Sequence, residues 1–394
     1  MYFSPLLISA AATLFSACTT AAAVPDTLDK RSTKFLELDF DVIRNTTDAE
    51  SLGLRRRSDV SSRTLYNKDG YYITYVDIGS NQQKIGVDID TGSSDLWVPD
   101  VSSGCVYNSC QYGEYDPSQS TTSQNLNEPF SIRYGDNSTA DGFYYLDTVA
   151  LGTCDSCPKV KDVQFASATN NTAGFGVFGI GFTSNEATWT EYPNFIELLR
   201  SQGFIDRRAY SLYLNEQQAA TGTIIFGGKD LAKIDGDLVT LPIVAETRLS
   251  VKLDSVTING QILETNTEAL IDSGTSLAEF VPDLADAIFA NYPGAYWVKE
   301  INLYVTDCSA DPNLELTFNF DGISFTQTLA EAWTTNLSSK TKFYGCGFQI
   351  GRNEFNVLGD LFMRNAYTVF DYDANTISLA HVKYTNDKDV VAIT

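Results

Sequence analysis

Two aspartates carry the chemistry this sequence can perform. Asp90 stands in Ile89-Asp90-Thr91-Gly92-Ser93-Ser94 and Asp272 in Ile271-Asp272-Ser273-Gly274-Thr275-Ser276, 182 residues further on. Each follows apolar residues and each is answered later by two apolar residues and a glycine, Val177-Phe178-Gly179 and Val357-Leu358-Gly359, at offsets of 89 and 87. A motif that recurs with its partner at nearly the same offset predicts a duplicated lobe. If the two loops meet, two carboxylates a few ångströms apart cannot both ionise cheaply, so they share a proton over an acidic range. One then serves as base toward a water that attacks an amide carbonyl, and the other as acid toward the carbonyl oxygen. The neighbouring residue types suit this task. Thr91 and Ser273 offer hydroxyls that can bond across to the opposite loop. Gly92 and Gly274 let the backbone turn tightly and the loops approach. Ser93 and Thr275 can bond the outer carboxylate oxygens. Either tripeptide alone would read as an ordinary turn; the pair, with matching partners, does not.

Composition narrows the alternatives. The 394 residues include one histidine, His381, in an alternating strand-like stretch, which points to a structural role. A Ser-His-Asp triad would have to use that residue, and an H-E-x-x-H zinc site is impossible. No metal and no organic cofactor is expected. The net charge is −23, with 50 acidic against 27 basic side chains. Basic and acidic residues balance up to Arg57, so the whole imbalance lies beyond it. Such a surface disfavours nucleic acid as a partner and suits either an extracellular protein or one that works in acid. No run of about 18 apolar residues occurs beyond the N-terminus, so no membrane span is expected. No hydrophobic tail follows Thr385, so no GPI anchor is expected either.

The elements that must position the two aspartates follow along the chain. Residues 1–23, with an apolar stretch before Ala21-Ala22-Ala23, read as a signal peptide. Residues 24–57 read as a pro-segment, with Lys30-Arg31 and Arg55-Arg56-Arg57 as sites for a processing protease. The mature chain is expected to start at Ser58, and a basic pro-segment could bind a carboxylate-lined cleft. From Thr64 short aromatic and β-branched segments bounded by glycine and polar turns predict all-β architecture. Helices are expected only at Phe195 to Ser201, Asp283 to Asn291 and Asp360 to Asn365. The interruption at Leu241-Pro242 suggests lobes over 58–245 and 246–394. Cys18 falls in the signal peptide, leaving Cys105, Cys110, Cys154, Cys157, Cys308 and Cys346, an even set that predicts three disulfides in an exported protein. Pairing within lobes joins Cys308 to Cys346. Of the three choices left for the other four, the shortest loops favour Cys105–Cys110 and Cys154–Cys157. Sequons stand at Asn45, Asn137, Asn170 and Asn336.

The stretches Asp90-Thr91-Gly92-Ser93-Ser94-Asp95-Leu96-Trp97-Val98-Pro99, Phe130-Ser131-Ile132-Arg133-Tyr134-Gly135-Asp136 and Asp272-Ser273-Gly274-Thr275-Ser276 come in the order found in the pepsin-like aspartic proteases. The chain resembles that family over residues about 70–380, most closely its secreted yeast, candidapepsin-type members. The resemblance implies two pseudo-symmetric β-rich lobes with a central cleft and Asp90 and Asp272 on its floor. It also implies a β-hairpin flap over Phe130 to Tyr144. Tyr134 would be the flap tyrosine, bonded to Trp97, with Gly135 and Asp136 against the substrate. Some fungal members accept lysine before the cut bond, and Asp136 would be the residue concerned. Many relatives carry glycine where this flap has Asn137, a residue that tolerates left-handed backbone; a glycan there would be absent or point outward. The implied activity is that of a secreted, monomeric endopeptidase acting on polypeptides in acid. A vacuolar protease, a catalytically inactive pepsin-like binding protein and a two-carboxylate glycosidase are the competing readings.

Overall fold

The computed structural model describes residues 34–44, 70–104, 111–152, 157–310, 313–334 and 345–394. The expected signal peptide, the Arg55-Arg56-Arg57 site, Cys105, Cys110, Cys154, Asn45 and Asn336 lie outside these residues.

The architecture is all-β. Strands of mostly aromatic and β-branched residues assemble into a 13-stranded sheet and a seven-stranded sheet, with four-stranded and two-stranded sheets beside them. The strand Gly70–Ile78 is buried along most of its length, the pattern of a strand covered on both faces. The strand Gln124–Arg133, near one end of the larger sheet, has mostly exposed or partly buried residues. Helices are short. Phe195–Ser201 starts where the Asn194 side chain accepts the Glu197 amide, an N-cap. Pro282–Ala290 opens on a proline at its first position, where the missing N–H costs nothing. Asp360–Met363 is a single turn.

Two crossings build the floor of the cleft. The strand Gln83–Asp90 runs parallel to Gly176–Gly179, with Asp90 opposite Gly179, and that strand is antiparallel to Leu96–Pro99. In the second half, Gln261–Ile271 runs parallel to Asn356–Leu358, which is antiparallel to Ala278–Phe280. The same construction thus occurs twice. The glycines closing the answering strands are required by space. A Cβ on Gly179 would lie 2.6 Å from the Asp95 amide nitrogen, and one on Gly359 only 2.0 Å from the Thr275 carbonyl oxygen. The expected apolar-apolar-glycine partners are therefore the strands beneath each aspartate loop.

Two further features concern the chain ends. The strands Ala366–Asp371 and Thr376–Val382 return to the larger sheet, where they pair with Ala209–Tyr213 and Ile234–Pro242. The strand Leu36–Arg44 lies between Gly70–Ile78 and Thr221–Phe226 in that sheet. Its Phe40 is only 2% exposed, packs edge-on against Tyr72 and fills the space a Cβ on Gly222 would need. Burying one such side chain contributes about 1.5–3 kcal/mol. Cys308 and Cys346 form a disulfide, bridging 38 residues. Cys157 is also disulfide-bonded. His381 sits in the strand Thr376–Val382 against the ring of Phe325.

Candidate active site

Asp90 and Asp272 come to rest against each other because neither loop carries a side chain between them. A Cβ on Gly92 would lie 2.6 Å from the Asp272 Cγ, and one on Gly274 2.4 Å from the Asp90 Oδ1. Any larger residue at either position would occupy the opposite carboxylate. The carboxylates are then fixed by matching donors. The Gly92 amide donates to Asp90 Oδ1 at 2.8 Å and the Ser93 hydroxyl to Oδ2 at 2.5 Å. The Gly274 amide donates to Asp272 Oδ1 at 2.9 Å and the Thr275 hydroxyl to Oδ2 at 2.7 Å.

Beneath them the loops clasp reciprocally. The Thr91 hydroxyl donates to the Ile271 carbonyl at 2.8 Å and accepts the Ser273 amide at 2.9 Å. The Ser273 hydroxyl donates to the Ile89 carbonyl at 2.7 Å and accepts the Thr91 amide at 3.1 Å. All four bonds are buried and join residues 180 or more apart in sequence. Each would leave an unpaired backbone group if broken, so the clasp is expensive to open.

Burial, and next the negative charge of Asp90, hold the Asp272 carboxyl well above the usual range; the Thr275 and Gly274 donors pull the other way. A pair so placed retains one proton in acid, which is the condition for acid and base in one site.

The flap is the hairpin of Gln124–Arg133 and Thr139–Leu151. Its turn closes through the Asn137 amide to the Tyr134 carbonyl at 2.9 Å and the Tyr134 amide to the Ser138 carbonyl at 2.9 Å. Asn137 has φ +66°, the left-handed conformation that glycine or asparagine adopts most readily. Asp136 Oδ1 braces the turn by accepting the Ser138 amide and hydroxyl. The Trp97 indole donates to the Tyr134 hydroxyl at 2.7 Å, tying the flap to the first lobe. Burial and the Asp90 charge keep that phenol protonated. A cavity of about 310 Å³ lies under the flap. Asp90, Asp272, Gly92, Ser93, Gly274, Thr275, Tyr134, Gly135 and Asp136 line it. Asn137 is exposed and is not among the lining residues. Asn170 is exposed as well.

Some residues at the site had no role assigned from sequence. Asp95 is 0% exposed and accepts from the Tyr144 and Tyr192 hydroxyls at 2.7 and 2.8 Å and the Ala187 amide at 2.8 Å. It thereby ties the flap strand and the loop after Gly181 to the first aspartate loop. Burial raises its pKa against these three donors. Beside it, burial pushes Glu186 up to about 8. Glu279 also lines the cleft; its seven-residue distance from Asp272, equal to that of Trp97 from Asp90, was the available signal. Among the described residues no group of three or more His, Cys, Asp or Glu side chains could hold a metal ion.

The chain resembles known proteins over most of its length. The family described as "Eukaryotic aspartyl protease" matches residues 71–382. Candidapepsin of Candida tropicalis is 42% identical over 380 residues, covering 94% of each chain. Secreted aspartic protease 4 of Candida albicans is 40% identical over 402 residues, covering 92% of this chain and 95% of the relative. Secreted aspartic protease 8 of the same organism is 39% identical over 401 residues, covering 95% of each.

Proposed function

The chain belongs to the eukaryotic aspartyl protease family, and from that premise we propose that Asp90 and Asp272 are the pair with which it cuts peptide bonds. The protein is a secreted aspartic endopeptidase that works in acid. The observation that carries the residue assignment is the reciprocal fit of each glycine onto the opposite aspartate.

In the proposed reaction a water lies between the two carboxylates. The ionised carboxylate takes a proton from it as its oxygen bonds to the amide carbon. The protonated partner gives its proton to the carbonyl oxygen, forming a tetrahedral diol. The proton held by the base then passes to the amide nitrogen while one diol hydroxyl returns a proton to the other carboxylate; the C–N bond breaks, the carboxylic acid and amine separate, and the pair again holds one proton. The two aspartates share one proton before attack, so one member of the pair serves as acid and the other as base. Thr91, Gly92, Ser93, Ser273, Gly274 and Thr275 hold the pair in place. Tyr134 and Gly135 on the flap, with Trp97 behind them, close over an extended polypeptide, and the flap excludes water.

Residues 24–57 act as a pro-segment in this reading, with a processing protease cutting after Arg57. Supporting it, Leu36–Arg44 fills a slot in the larger sheet that only noncovalent bonds would retain after such a cut. The division into lobes at 245/246, the leader over 1–23 and the monomeric state belong to the same reading. So do the Cys105–Cys110 and Cys154–Cys157 pairings and the glycan sites Asn170, Asn336 and, outward-pointing if occupied, Asn137.

The test is cleavage of denatured haemoglobin or casein across pH 2–8 by the wild type, Asp90→Asn and Asp272→Asn, with pepstatin as control. Acid cleavage should be blocked by pepstatin and fall at least about a thousandfold in either variant, as expected when an essential acid or base is removed. Cleavage that survives Asp90→Asn would overturn the assignment.

A further inference from the structure

The duplication that pairs Asp90 with Asp272 also pairs Trp97 with Glu279. Trp97 lies opposite Val177 in the first crossing and Glu279 opposite Val357 in the second. One copy thus presents an indole that holds the flap tyrosine, and the other presents a carboxylate that lines the cleft.

Glu279 is held in place from behind. One oxygen accepts the Asn302 side-chain amide at 2.9 Å and the other the Asn353 amide at 2.6 Å. Asn302 is itself locked. Its oxygen accepts the Trp297 indole and the Arg352 amide, and its nitrogen also reaches the Arg352 carbonyl. Gly351 leaves the room it needs, since a Cβ there would lie 2.7 Å from the Asn302 carbonyl oxygen. A carboxylate has about four acceptor sites, so two amide donors leave half of them unused.

The charges around the group are few. Arg352, on the neighbouring strand, stacks over Trp297 and bonds Asp286 and Tyr304. The other neighbouring strand, Asn356–Leu358, carries no charge. From the flap, Asp136 acts on Glu279 with like charge. Neither carboxylate has an ion pair with Lys or Arg among the described residues. Among the described residues the cleft lining holds the carboxylates Asp88, Asp90, Asp136, Asp272 and Glu279 against the single cation Arg133.

Resting on the protease reading above, we infer that Glu279 is a specificity-determining residue: with Asp136 it forms a clamp, one carboxylate from each wall of the cleft, that takes a lysine or arginine side chain of the substrate. The cation would fill the unused acceptor sites of both groups and remove the repulsion between them. A neutral side chain in the same place would leave that repulsion unrelieved. Burial and the Asp136 charge raise Glu279 while the Asn353 and Asn302 donors oppose them. The preference for a cation therefore grows as pH rises and Glu279 ionises.

The test uses peptides in which lysine replaces norleucine at one position at a time around the cut bond. The readout is the ratio of kcat/KM for the two side chains, in the wild type, Glu279→Gln, Asp136→Asn and the double variant, at several acidic pH values. One position should show a lysine preference that rises with pH and falls about tenfold in Glu279→Gln, the loss of one charge-assisted contact. The double variant should lose less than the product of the two single losses, because both groups hold one cation. The same peptides titrated by fluorescence anisotropy against Asp90→Asn report the clamp without turnover. A lysine preference there that Glu279→Gln removes supports the inference even if the dyad assignment were to fail. A ratio unchanged within twofold at every position, or an equal loss for both side chains, would make Glu279 a structural anchor and overturn it.

Discussion

Ser273 donates to the carbonyl of Ile89 and accepts the amide of Thr91, so one hydroxyl closes two bonds between the aspartate loops. Ser273→Ala removes both and leaves a buried N–H and C=O without partners. A loss of about 2–4 kcal/mol in unfolding free energy is expected in denaturant titrations, from one to three kcal/mol for each orphaned group with partial relaxation. Catalysis should fall with it, because the clasp sets the distance between the carboxylates. Glu186 contributes to stability with the opposite sign at neutral pH. Its native pKa, about 8, lies above its ordinary value of 4.5. The native state therefore binds more protons than the unfolded chain between those values, and stability falls as pH rises through that window. Asp95 and Asp272, both raised, act in the same direction. Melting temperature should decline from acid toward pH 8, and Glu186→Gln, which carries no charge to desolvate, should decline less steeply. Equal slopes for the two proteins would remove Glu186 from the account.

The strand Leu36–Arg44 is the element whose fate differs between an uncut and a processed chain. In the larger sheet it satisfies the edges of Gly70–Ile78 and Thr221–Phe226 and seats Phe40 against Tyr72. Phe40→Ala should destabilise the uncut protein by about 3–5 kcal/mol, the range for truncating a buried phenylalanine. If processing removes residues up to Arg57, the mature enzyme made from that variant should melt at the wild-type temperature. Differential scanning calorimetry of both forms decides it, and a mature form that stays destabilised would mean that the strand is retained. The flap is an element of the opposite kind, with exposed outer residues and a turn held by Asp136 and the backbone. It is anchored to the body of the first lobe by the Trp97–Tyr134 bond and, through Tyr144, by Asp95. Strand identity was readable in these segments because aromatic and β-branched residues between turn signals have few other uses. The short helices lie within a few residues of the expected spans, Phe195–Ser201 opening after the Asn194 N-cap and Pro282–Ala290 on a proline at its first position. Partnership was not readable. Nothing in Leu36–Arg44 says which strands it joins, since any sheet edge offers the same backbone groups.

Across the whole molecule the net charge of −23 opposes compaction at neutral pH and fades near the sequence pI of about 4.3. Salt should therefore raise the melting temperature at pH 7 and change it little at pH 4.3, because screening acts on a repulsion present only at the higher pH. An equal salt effect at both values would exclude net-charge repulsion as its source. The sequence by itself determined which residues could do chemistry. With one histidine available, the twin Asp-x-Gly loops and their answering apolar-apolar-glycine strands admitted few mechanisms, and small residues beside each aspartate announced a close approach. These signals are local or repeated, so spacing alone exposes them. Tertiary structure decided what depends on segments meeting from distant parts of the chain. It brought the Tyr144 and Tyr192 hydroxyls to Asp95, put Leu36–Arg44 between two strands of the larger sheet, and set Glu279 beneath the flap that carries Asp136. Each of these rests on the packing of apolar faces that share no sequence pattern, because burial selects for hydrophobic surface in general and leaves the choice of neighbour to the three-dimensional fit.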